Sequence, residues 1–288
     1  MKTANIVPEL TFLPRIHNGE YNALVLYVVA QVAARFLITT FIAWIVKLSK
    51  RTEKPHHPKK AAESFYFGLY YLSSWIFSNF SLHDGNISVW QVIKHPELLH
   101  KSGPFPQSWK HFINYELAHY ITCMIYYKFD NRQHHTDYYM MMLHHICCIF
   151  LMFTAQKLTV FQPGLIYCLF LHDWSDIWME FGKVLLYMKI KLFILCLGVL
   201  VPSWFILRCI VYPATAIRSG IQYFDRDATL IAVTVFEIII WIMNCIWFVF
   251  IFQMVLRSIK GSLVKDVRSE DESDETISSE NSKEYGKC

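Results

Sequence analysis

Residues 229–256 read TLIAVTVFEIIIWIMNCIWFVFIFQMVL. The run exceeds the roughly 20 residues that an α-helix needs to cross a hydrocarbon core about 30 Å thick. Taken alone it is a membrane span, and the chain before it repeats the pattern. Moving back toward the N-terminus, apolar stretches of spanning or near-spanning length fall at 192–217, 161–182, 138–156, 111–128, 62–82 and 22–46. The expected fold is all-α, a polytopic transmembrane helix bundle of about seven spans. Two of the stretches, 111–128 and 138–156, are short, and 161–182 is interrupted by polar residues. The run at 22–46 is too long for a signal-peptide core and no small-residue cleavage site follows it, so it reads as the first span. The chain then divides into 1–60 (first helix and a basic loop), 61–260 (six spans) and a tail, 261–288.

Composition agrees. Hydrophobic residues make up 54% of the 288 and charged residues only 17%, where a soluble domain has about 25%. A cytosolic globular enzyme and a disordered chain are both excluded. Residues 266–288 hold eight acids against three bases, so the formal charge of +4 divides into −5 for the tail and +9 for the body. A mostly apolar basic body is not a nucleic-acid signature, and the acidic, Ser-rich tail is expected to be disordered. The eight cysteines show no paired spacing, which excludes a disulfide framework and a zinc ribbon.

Lys and Arg in alternate loops orient the bundle. With 47–60 on the cytosolic side, that side gathers fifteen basic residues against eight opposite. The N-terminus is then lumenal and the tail cytosolic. The sequons Asn79-Phe80-Ser81 and Asn86-Ile87-Ser88 both fall at or in the second, lumenal loop, and Asn86 is the candidate glycosylation site.

Ionisable groups inside a bilayer cost about 2.5–3.5 kcal/mol each on insertion scales, so those that persist are functional candidates. They concentrate on three consecutive spans. Glu116, His119 and Cys123 share a stripe of the third; Asp137, Met141, His144 and Cys148 share one on the fourth, with His145 beside it. On the fifth, His172, Asp173, Asp176, Glu180 and Lys183 recur at helical spacing. Three adjacent polar faces suggest a shared wet cavity. Arg208, mid-span after Pro202, is placed to meet a phosphate or carboxylate or to neutralise an Asp. Glu180 and Lys183 also suit a structural ion pair. Di-iron oxidases need histidines at three- or four-residue spacing, and none of the 13 here is so paired. A zinc on His144, His172 and Asp173 is not required by anything in the pattern. A His pair with buried carboxyl partners suits acyl transfer, as base toward an amine or as nucleophile toward a thioester.

The stretch Leu143-His144-His145, with His172-Asp173-Trp174-Ser175-Asp176 and Glu180 starting 28 residues after His144, closely resembles the Lag1 motif of ceramide synthases of the TRAM-LAG1-CLN8 (TLC) family. Tyr115-Glu116-Leu117, Asp137, Arg208 and the acidic tail extend the likeness over roughly residues 60–260. Departures from the pattern are Cys148 for a Thr, Gln162 for an Arg, and Trp174 for a Ser. No homeobox-like insert fits the short loop at 47–60. The resemblance implies N-acylation of a sphingoid base (sphinganine or sphingosine) by a fatty acyl-CoA at the endoplasmic reticulum membrane. Acyl-CoA is then a co-substrate, with no cofactor and no metal; membrane lipids surround the protein, and homo- or hetero-oligomers are compatible. It further implies His144 as nucleophile or base, His145 assisting, Asp173 orienting a histidine, and Asp176 and His172 in support. Glu116, His119, Arg132, Arg208 and Glu180 are the expected substrate contacts. Tyr223 and Phe224, in the loop 218–228, would plug the acyl channel and set chain length. Ser269 and Ser273, each followed by acids, are the expected phosphorylation sites. The rival reading is a TLC protein that binds or moves lipid, or escorts cargo, without chemistry.

Overall fold

The structure is a computed structural model that describes residues 18–52, 54–100, 105–127, 137–222 and 228–259. Among them there is no strand. Helix α1 runs Asn18–Leu48 and α2 His57–Asp84; α3, Val89–Lys94, leads into a 3₁₀ turn at Pro96–His100. Then come α4, Gln107–Tyr126; α5, Tyr138–Lys157; and α6, Gln162–Tyr187. Helix α7, Phe193–Trp204, continues through π-helical turns at Phe205–Val211 and Pro213–Ile217 into α8, Arg218–Gln222. Helix α9, Ala228–Ile259, is last. Every apolar stretch expected to span is therefore helical.

Local chemistry sets the boundaries. Pro58 and Pro163 lie in the first turns of α2 and α6, where a missing N–H breaks no bond. Pro202 and Pro213 instead sit inside the α7–α8 run, and the wide turns gather around them. Helix α2 ends at Gly85, where a Cβ would lie 2.2 Å from the Trp109 ring. Trp109 closes over this point and donates its indole N–H to the Ser81 carbonyl (2.6 Å). Asn86 then takes a left-handed backbone (φ 53°), which Asn tolerates better than most residues.

The molecule is apolar outside as well as inside. Phe36, Phe41, Trp44, Leu195, Ile206, Val249 and Phe252 are exposed, while Gln31, Arg35, Glu116, Asp173, Arg208 and Asn244 are buried. That inversion fits a hydrocarbon solvent. Among the described residues, four helices are long and apolar enough to cross a membrane: Asn22–Leu48, Tyr138–Lys157, Phe193–Gln222 and Ala228–Leu256. Helices α2, α4 and α6 fall below that measure because they carry the polar groups described next. The chain between α2 and α4 is more than a loop. Ile87, Val92 and Leu99 tuck α3 and the 3₁₀ turn into the core at one end of the bundle.

Candidate functional site

Helix α6 supplies the centre. It packs along α2 and α7, with the Phe181 ring 3.1 Å from where a Cβ on Gly68 would stand. Its polar residues face three ways. Asp173 turns to α2, where Ser74 Oγ lies 2.5 Å from Asp173 Oδ2 and 2.6 Å from Glu116 Oε1 of α4. All three residues are buried. A hydroxyl owns one hydrogen and cannot donate to both carboxyls. The bridge closes when Ser74 donates to one and the other, carrying a proton, donates to Ser74 Oγ.

Ser175 and Asp176 turn to Arg208. The guanidinium donates to Ser175 Oγ (2.7 Å), Asn244 Oδ1 (3.2 Å) and the His172 carbonyl (2.7 Å), pairs with Asp176 Oδ2 (2.6 Å), and rests 3.8 Å over the Trp204 ring. The π-helical stretch carries this arginine into the bundle. His172 is fixed from both sides: Nδ1 donates to the Cys168 carbonyl (2.7 Å), so Nε2 accepts from Asn244 Nδ2 (3.0 Å). On α5, His144 stands with its ring 5.4 Å from Trp247 and its Nε2 3.5 Å from Cys148 Sγ. His145 meets the Tyr120 ring edge-on at 5.4 Å.

Two cavities meet here. The first, with about 1090 Å³ of empty space including its mouth, opens at the end marked by Tyr127, Lys183 and Met254 and contains His119, His144, His145 and Glu180. The second, about 800 Å³, reaches the other end, where Leu99, His100, Phe161 and Gly164 form its floor. Tyr120, His144, Asp176 and Arg208 line both. At the end of the 3₁₀ turn, burial lowers the His100 imidazole pKa from its ordinary value.

A profile of the TLC domain matches residues 60–253. The chain belongs to the TLC domain family. Ceramide synthase LOH2 of Arabidopsis thaliana is 29% identical over 146 residues, covering 44% of this chain and 47% of that protein. The match thus spans about half the length of this curated relative. Most of α2, helices α3 to α6, the arginine-bearing turns and most of α9 lie within the TLC match, which holds every residue lining the two cavities except Met254.

The TLC fold gathers His144, His145, His172, Asp173, Asp176, Glu116, His119, Glu180 and Arg208 around these cavities or their walls. Asp173, expected to orient a histidine, makes its hydrogen bond to Ser74, on the side of α6 that faces α2. His172 is held by a carbonyl and Asn244 instead. Arg208 is committed to Asp176 and to neutral acceptors, and Glu180 pairs with Lys183 at 2.8 Å. His119 stacks flat on Tyr70, centroids 3.3 Å apart. Asn86 is exposed. Arg132, Tyr223, Phe224, Ser269 and Ser273 lie outside the described residues. Ser74, Asn244 and Glu237 are further polar groups of the site that motif spacing does not single out. The last two stand seven apart in the run 229–256, and that polar pair in an apolar helix was the available signal.

Proposed function

We propose that this TLC protein is a ceramide synthase. It joins a fatty acyl group from acyl-CoA to the amine of a sphingoid base, within a seven-span bundle of the endoplasmic reticulum membrane. The N-terminus is lumenal and the tail cytosolic. The observation that carries the reading is that His144 lines both a cavity opening beside Glu180 and Lys183 and a second one whose far part runs among Leu151, Met152, Leu165 and Leu169. A thioester placed there has its CoA head toward the end bearing Lys183 and its acyl chain among Leu151, Met152, Leu165 and Leu169.

Two routes fit. The His144 imidazole attacks the thioester carbon, the C–S bond breaks and CoA leaves as thiol; the amine then attacks the acyl-imidazole, loses a proton and frees the ring. Alternatively the amine attacks the thioester carbon directly, His144 accepts its proton, and the C–S bond breaks with CoA leaving as the thiol. The Glu116–Ser74–Asp173 unit is a nearby reserve for that proton, and the Arg208–Asp176 pair stiffens the wall beside it. The 29% identity to a ceramide synthase supports the same reading.

The test is product mass spectrometry on purified protein with sphinganine and a series of acyl-CoAs. N-acylated base is expected; binding of both substrates without product would leave a lipid-binding TLC protein. Intact-protein mass after acyl-CoA alone separates the routes, since the first adds an acyl group at 144–145 and the second adds nothing.

A further inference from the structure

Glu237 is a carboxyl group in the wall of the second cavity, about a third of the way along α9. Its residue is 9% exposed, and its Oε2 is buried without a hydrogen-bond partner among the described residues. Val233, Ile240, Leu165 and Leu169 share the cavity wall, and the nearby Tyr212 hydroxyl donates to the Glu237 backbone carbonyl rather than to the side chain. A wall for a plain alkyl chain needs no such group, and burying a polar group without a partner costs several kcal/mol on apolar transfer scales. We propose that Glu237 is a polar subsite of the acyl channel, accepting a hydrogen bond from a hydroxyl carried far along the acyl chain. The inference rests on the acyltransferase reading.

Helix geometry gives the position. Trp247, against His144, and Asn244, against His172, are ten and seven residues from Glu237 on α9. At 1.5 Å per residue the carboxyl lies roughly 10–15 Å down the channel. A saturated chain with bonds of ~1.5 Å at ~111° advances ~1.25 Å per carbon, so the hydroxyl belongs about 8 to 12 carbons from the reacting carbonyl. The polar groups of a long-chain amino alcohol cluster at its head and stay near His144. An ammonium group on the chain would carry a bare charge through apolar walls, at far greater cost than a hydroxyl.

The full-length protein in liposomes is given sphinganine with equal octadecanoyl-CoA and 12-hydroxyoctadecanoyl-CoA, and the product ratio is read by mass. Glu237→Leu is expected to lower the hydroxylated-to-plain ratio about tenfold, the worth of one buried hydrogen bond. Glu237→Gln keeps an acceptor oxygen and is expected to stay within about threefold of wild type. With 2-hydroxyoctadecanoyl-CoA, whose hydroxyl sits at the head, the ratio should not follow the substitution. An unchanged ratio in Glu237→Leu, or an equal fall in Glu237→Gln, overturns the subsite. If wild type transfers neither chain, the function reading fails. Thermal stabilisation by 12-hydroxyoctadecanoate relative to octadecanoate, compared between wild type and Glu237→Leu, then decides the subsite by itself.

Discussion

Ser74 sits between two acids that the sequence shows on different helices, and its hydroxyl is what allows both to stay buried. Ser74→Ala removes the bridge and should lower stability by about 1–3 kcal/mol, while Ser74→Thr keeps the oxygen and should recover most of it. Thermal unfolding in detergent measures both. The Arg208–Asp176 pair is the more demanding case. Arg208→Met strands a partly buried carboxylate and should cost about 2–4 kcal/mol; adding Asp176→Asn should return part of that, and a double variant no better than the single one would deny the coupling. For the chemistry, His144→Ala is expected to lose about 10²–10⁴-fold in acylation with the fold intact. Near-normal turnover would remove His144 from the reaction. At this scale the histidines and the α6 acids were legible, because an ionisable group in an apolar run is conspicuous. Serine is ordinary in spans, so Ser74 gave no such signal. That Asp173 serves Ser74 rather than a histidine depends on how α2 crosses α6, which no residue spacing states.

Among the elements, the 3₁₀ turn at Pro96–His100 was the least legible, since it lies in what reads as a polar lumenal loop. Leu99, 1% exposed, and His100 bring it under the second cavity. The expected length gauge, the loop 218–228, touches that floor through its described start: Ser219 Oγ donates to the Pro96 carbonyl (2.9 Å). A loop exchange therefore acts on the floor as well as on whatever Tyr223 and Phe224 contribute. The floor can be moved directly. A Cβ on Gly164 would clear the Leu99 carbonyl by 3.5 Å, so Gly164→Ala fits and Gly164→Leu must reach into the cavity or displace the turn. Gly164→Leu should shift the acyl profile toward shorter chains, and Leu99→Ala toward longer ones, by at least one two-carbon step. Each CH₂ excluded or admitted is worth about 0.8 kcal/mol. Equal product profiles in both variants would place the end of the channel elsewhere.

Over the whole molecule, helix positions followed from hydropathy because a bilayer leaves the backbone few alternatives. Crossing number is harder to read for α2, α4 and α6, whose polar faces are the site itself. Orientation is checked at Asn86, exposed and left-handed in backbone just beyond α2. A glycan should form there, and protease added to sealed microsomes should clip the chain beyond Lys260. A protected tail would reverse the bundle and put the polar mouth in the lumen. The tail is tested by deleting 269–288 and by Ser269→Ala with Ser273→Ala. Phosphates add about −1.5 to −2 charge each near the basic stretch 257–265, and activity should change several-fold with their removal. Equal rates would make the tail a spacer.

The wall shared by the two cavities has a mechanical consequence. Tyr120, His144, Asp176 and Arg208 come from α4, α5, α6 and the π-helical stretch, so no single helix owns it. A long molecule lodged across it bears on four separate rods at once, like a bolt through stacked plates. Pulling any one of them from the bundle should then demand more force when both cavities are filled than when they are empty. The increase should vanish for a ligand short enough to rest in one cavity alone.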